Sequence, residues 1–158
     1  MSMATLSTKQ PIGDSINVFL LGNNPIELSN IYEKLKGIRT KRFNAEIGFD
    51  LKDAYKRIMK FNPKCILIDD NLEGLYLKSL IKKLSSGGKT RNIPITIIKN
   101  SNYGNSYLGE AQDFLLKEGI TSEALSNSIL NSIKWKSMHK YVYKSYEKRK
   151  TQLLSFLK

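Results

Sequence analysis

In Cys65-Ile66-Leu67-Ile68-Asp69-Asp70-Asn71-Leu72-Glu73-Gly74 a short apolar run meets two aspartates and then a turn closed by glycine. Pro63 stands just upstream, so the run has the length and the boundaries of a strand buried on both faces. Strands of that kind belong to parallel sheets covered by helices, in which sites form just beyond the carboxyl ends of the strands. Asp69 is expected at such an edge, with Asp70 turned the other way toward solvent.

Working outward from this strand, apolar strands alternate with amphipathic helices. Asn17 to Leu21 reads as a first strand, followed by Asn24 as a helix cap, Pro25 at the first helical position and Glu27 at the third. That helix places Ile26, Leu28, Ile31, Tyr32 and Leu35 at helical spacing and stops near Gly37. Phe43 to Phe49 reads as a second strand. Asp50 caps a helix carrying Leu51, Ala54, Tyr55, Ile58 and Met59 on one face, which ends before Pro63. Leu75 to Leu84 is a further helix, and Ser85-Ser86-Gly87-Gly88 a loop. Ile95 to Ile98, opened by Pro94, is the fourth strand and Phe114 to Leu116 a short fifth. A last helix begins near Thr121 or Ser122, with Leu125, Ile129 and Ile133 inward. Repeated alternation of this kind predicts right-handed crossovers and an α/β, doubly wound, five-stranded parallel sheet.

The chain has 158 residues, 41% hydrophobic and 25% charged, as expected of one globular domain with a real core. Residues 1–14 read as an arm or a tag remnant, 15–135 as the domain, and 136–158 as a basic helical extension. No apolar run approaches the roughly 20 residues that span a bilayer, and no signal-peptide core precedes a cleavage site. A cytoplasmic location without membrane attachment is expected. Cys65 is the only cysteine; it can close no intrachain disulfide and reads as a small buried apolar residue. Tyr32, Tyr55 and Phe61 read as packing residues. The formal charge of +12 raises the question of nucleic acid. Seven basic residues against one acid, Glu147, lie between Lys136 and Lys158; the remaining excess is scattered, so nucleic acid is not the expected partner.

Asp69-x-x-Leu72-x-Gly74 after an apolar strand, Pro94 opening the next strand, and Phe114-Leu115-Leu116-Lys117 at the last one resemble the receiver domain of two-component response regulators. The resemblance spans Ile16 to Ile133 and implies a flavodoxin-like (CheY-like) fold. It implies that Asp69 holds the position that accepts a phosphoryl group from a histidine kinase beside bound Mg²⁺. Lys117 takes the place of the lysine that pairs with that group, and Phe114 that of the aromatic switch residue.

The departures bear on function. Where receivers carry two adjacent acids after the first strand, this chain has Gly22 and Asn23. Mg²⁺ demands anionic oxygen ligands in near-octahedral geometry; Asn23 offers a neutral carbonyl and Gly22 no side chain. The hydroxyl position after the fourth strand is Lys99, the second switch position, and the proline expected after Lys117 is Glu118. The interval from Lys99 to Lys117 is short by about one helical turn, so a helix around Tyr103 to Ala111 is expected to be short or remodelled. One carboxylate, Asp69, thus faces two ammonium groups, Lys99 and Lys117, and a metal ion is repelled. Without metal, phosphoryl transfer loses several kcal/mol of charge stabilisation, on the order of hundreds-fold in rate. Mg²⁺ binding is expected to be weak or absent and phosphorylation disfavoured, the degenerate, pseudo-receiver condition. Lys99 is expected to stand in for the metal against Asp69; the plainer alternative is that it snorkels to solvent.

From Lys134 onward Trp135, Met138, Val142, Tyr146, Leu153 and Phe156 recur at spacings of three, four and seven, with no proline or glycine from Ser122 to the end. The last helix is expected to run well beyond the domain, as a linker to an output domain or as a dimerising helix. Ser145 and Arg149 spoil a regular heptad. The aromatics among the lysines could instead dock on this domain or on an acidic partner, and a bare helix at the end suggests a piece of a larger protein. His139 has no sequence partner for catalysis. Three functions follow: a phosphorylation-independent signalling module that binds protein partners, a working phosphoacceptor at Asp69, and nucleic-acid binding through the tail. No Ser/His/Asp set, phosphate loop or metal-ligand cluster points to an enzyme.

Overall fold

The computed structural model describes residues 15–69, 74–99, 113–116 and 119–157. Five strands, β1 (Ile16–Leu21), β2 (Phe43–Gly48), β3 (Cys65–Asp69), β4 (Ile95–Lys99) and β5 (Asp113–Leu116), form one sheet. Its order is β2-β1-β3-β4-β5 and every pairing is parallel. Four helices are described: α1 (Pro25–Lys36), α2 (Leu51–Phe61), α3 (Gly74–Ser86) and α4 (Ser122–Phe156).

Local chemistry sets where these helices begin. Asn24 accepts hydrogen bonds from the amides of Ile26 and Glu27 at 3.0 and 3.3 Å, with Pro25 at the first helical position. Asp50 accepts from the Lys52 amide at 2.9 Å, and Asn62, at φ 53°, ends α2 in the left-handed conformation. Thr121 accepts from the Ala124 amide at 3.0 Å and starts α4. The Lys34 ammonium donates to the Ile120 carbonyl at 2.8 Å, tying α1 to the start of α4.

Strand alternation divides the core in two. Val18, Leu20, Cys65, Leu67 and Ile98 face Leu28, Ile31 and Leu35 of α1 and Leu125 and Ile129 of α4. Phe19, Leu21, Ile66, Ile68 and Ile97 face Ala54 and Ile58 of α2 and Leu77, Ile81 and Leu84 of α3. Each buried Leu or Ile contributes about 1.5–3 kcal/mol of transfer free energy, so helices on both faces are what make such apolar strands tolerable. Small residues bring α4 close to the sheet: the hydroxyl of Ser132 lies 3.8 Å from the Cys65 sulfur and donates to the Ile129 carbonyl at 2.9 Å. Tyr32, Tyr55 and Phe61 pack against these cores as partly buried side chains.

Some sequence expectations are corrected. Ile26 is 75% exposed, because at 3.6 residues per turn it lies on the side of α1 opposite Leu28, Ile31 and Leu35. The loop expected from Ser85 begins later: α3 runs through Ser86, whose hydroxyl donates to the Lys82 and Lys83 carbonyls. β2 ends at Gly48 and leaves Phe49 exposed. The arm 1–14, Asp70, Leu72 and the helix expected around Tyr103 to Ala111 lie outside the described residues.

α4 does run on as one helix of 35 residues, about 52 Å at 1.5 Å per residue. Its fully buried positions end at Ser132, and Trp135, Val142, Tyr146, Leu153 and Phe156 are exposed. Among the described residues no helix is long and apolar enough to cross a membrane.

Candidate functional site

The order β2-β1-β3 places a reversal of chain direction across the sheet between β1 and β3, where α/β sheets open a crevice at their carboxyl edge. Leu21 pairs with Ile68, so Gly22, the next residue, stands beside Asp69. Asp69 pairs with Ile98, and Lys99 follows at the end of β4, opposite Leu116. The backbone of Gly22 is held by its amide, which donates to the Gly48 carbonyl at 3.2 Å.

Asp69 is 0% exposed. A β-carbon added at Gly22 would lie 2.9 Å from the Asp69 β-carbon and 3.1 and 3.2 Å from the two methyls of Leu28. The β-carbon of Asp69 is fixed by its strand, so it cannot swing aside as the tip of a flexible side chain would. Position 22 therefore accepts glycine alone without a shift of β1 or β3, and no carboxylate can stand there. Leu28, from α1, fills the space with methyl groups, which coordinate no cation. Among the described residues no cluster of three or more His, Cys, Asp or Glu stands ready to hold a metal ion.

Of the residues singled out in the sequence, Gly22 and Asp69 meet, and Lys99 lies one strand away at the same edge. Asp69 and Lys99 leave the sheet on different sides. Asp69 has the parity of Cys65 and Leu67, on the α1/α4 face; Lys99 has that of Ile95 and Ile97, on the α2/α3 face. Lys99 is half-buried, and both residues interact with neighbouring groups. A meeting of the two requires Lys99 to bend over the strand end. Asn23 is exposed and also engaged with neighbours. Phe114 lies on β5 opposite Ile97, and Lys117 and Glu118 lie outside the described residues. Leu28 is the participant that the sequence did not single out: it reads there only as a core residue of α1, and nothing local signals that its methyls crowd position 22.

Neither a family model nor a curated protein matches this chain. Solved structures do. A response regulator from Chloroflexus aurantiacus is similar with a TM-score of 0.65 at 16% identity, covering 77% of this chain and 99% of that one. A chemotaxis response regulator of Vibrio cholerae is similar with a TM-score of 0.63 at 14% identity, covering 75% and 99%. The receiver domain of a sensor histidine kinase from Pseudomonas aeruginosa, solved with a magnesium ion coordinated in its active-site cleft, gives 0.63 at 18% identity, covering 77% and 99%. At these identities the likeness shows the fold: the α/β, parallel-sheet architecture of CheY-like receiver domains.

Proposed function

We propose that the chain is a pseudo-receiver: a module of two-component-type signal transduction that acts without phosphorylation, by presenting its surfaces to protein partners such as a histidine kinase or an output domain. It performs no catalysis of its own and works in the cytoplasm. The receiver fold supports the signalling part of this reading. The crowding of position 22 by the Asp69 β-carbon and the Leu28 methyls carries the phosphorylation-independent part. A receiver that takes up a phosphoryl group needs a cation to offset charge developing on the transferred oxygens. Mg²⁺ in turn needs several hard oxygen ligands around it, and here methyl groups and a glycine hold the ground on the β1 side. A carboxylate removed from water requires compensation. Lys99 supplies it in this account, reaching over the end of β4 as a resident cation in place of an exchangeable metal. A permanent pair holds the edge in one state.

The second reading, a working phosphoacceptor, draws on Asp69 itself, which ends β3 at the chain reversal of a receiver fold. Incubation with acetyl phosphate and excess MgCl₂, followed by intact mass measurement, separates the two. The pseudo-receiver reading expects an unchanged mass. Gain of one phosphoryl group, lost when Asp69 is replaced by asparagine, establishes the phosphoacceptor.

A further inference from the structure

The amino-terminal edge of the sheet is built from other residues. Lys64 immediately precedes β3 and Pro94 immediately precedes β4, so both stand at the opposite strand ends from Asp69 and Lys99. The turn between α3 and β4 brings Lys89, Arg91 and Asn92 to the same edge, and α4 runs past it. Two adjoining hollows of about 310 and 360 Å³ open there and share Asn92, Lys136 and Lys140. Lys64 and Lys89 border the first, Arg91 and Lys144 the second, and neither is lined by a carboxylate.

The spacing on α4 is regular. Lys136, Lys140 and Lys144 recur every four residues, so one helix face carries three ammonium groups over about 12 Å. Tyr143 stands among them in the wall of the second hollow and is 61% exposed. Six cations from three segments of the chain thus converge on one groove, and their summed charge favours an anionic occupant. A second copy of this chain would add cations of its own. The groove is concave, which suits a strand laid into it and not a bilayer surface. Each hollow is of the size class that holds a small ligand. Tyr143 adds an exposed ring face among the cations, on which a base can stack.

We propose that this groove binds single-stranded nucleic acid, the cations taking successive phosphates and Tyr143 stacking on a base. The site is independent of the Asp69 edge and of its phosphorylation state.

The test is fluorescence anisotropy of a labelled oligouridylate titrated with the full chain at 50 and 200 mM KCl. If about five phosphates are neutralised, affinity falls about a hundredfold between these salts, since single strands lose roughly 0.7 in log–log slope per contact. Lys140→Gln combined with Lys144→Gln lowers that slope by about 1.4. Tyr143→Leu weakens binding about tenfold at both salts and leaves the slope unchanged. Lys52→Gln with Lys56→Gln, exposed on α2, alters neither measure. All these positions are exposed, and circular dichroism confirms that each variant folds. The proposal is overturned by any of three results: absence of binding at 50 mM KCl, indifference to the groove variants, or tighter binding to an oligoglutamate peptide or to phosphatidylserine vesicles than to the oligouridylate.

Discussion

The two ends of β3 are about 13 Å apart and treat charge in opposite ways. At the carboxyl end, Asp69 is wholly buried beside a glycine that leaves no room for a second acid without a shift of the strands. At the amino end, Lys64 borders an open groove to which the α3–β4 turn and α4 bring further cations and no acid. Charge sealed from water needs compensation within the fold. Charge left at a wet, concave surface keeps its reach for an external partner. We propose that the edge where receiver chemistry is expected is closed to a cation and that the opposite edge is the one that holds a ligand.

The largest effect is expected from rebuilding the closed end. Gly22→Asp forces a β-carbon against that of Asp69 and the methyls of Leu28 and adds a second carboxylate beside a buried one. Overpacking and an uncompensated buried charge together cost about 4 kcal/mol or more in urea unfolding. A variant as stable as the parent would show that the edge is open after all. Next comes Lys99→Met. If Lys99 compensates Asp69, its loss costs about 2 kcal/mol, a value below that of a fully buried pair because Lys99 is half-exposed. The same substitution at the open end, Lys140→Met, is expected within about 0.5 kcal/mol of the parent. Equal and small effects at both lysines would break the contrast and return Lys99 to solvent.

Much of the fold was legible in local chemistry. Asn24, Asp50 and Thr121 announce helices because each cap acts through amides two or three residues away. Ile66, Leu67 and Ile68 announce a doubly covered strand because no polar residue interrupts them. Ile26 is exposed because, two residues before Leu28, it falls on the opposite side of the helix from Leu28, Ile31 and Leu35, although all four are apolar. Asp69 and Gly22 were legible as positions, since each follows an apolar strand. Their contact was not, because it joins residues 47 apart through the β1–β3 pairing, and Leu28 enters from a third element. The cationic groove was hidden for the same reason. Lys64, Lys89, Arg91 and the lysines of α4 are scattered in sequence, and only the strand order brings them to one edge; the four-residue lysine spacing from Lys136 was the one visible trace.

Whether Asp69 holds a divalent cation is tested most directly by an amide NMR titration of the isotopically labelled chain with MgCl₂. The expected result is that the amides of Gly22, Asn23, Asp69 and Lys99 stay in place up to millimolar Mg²⁺. Saturable shifts of those four amides at micromolar Mg²⁺ would contradict it.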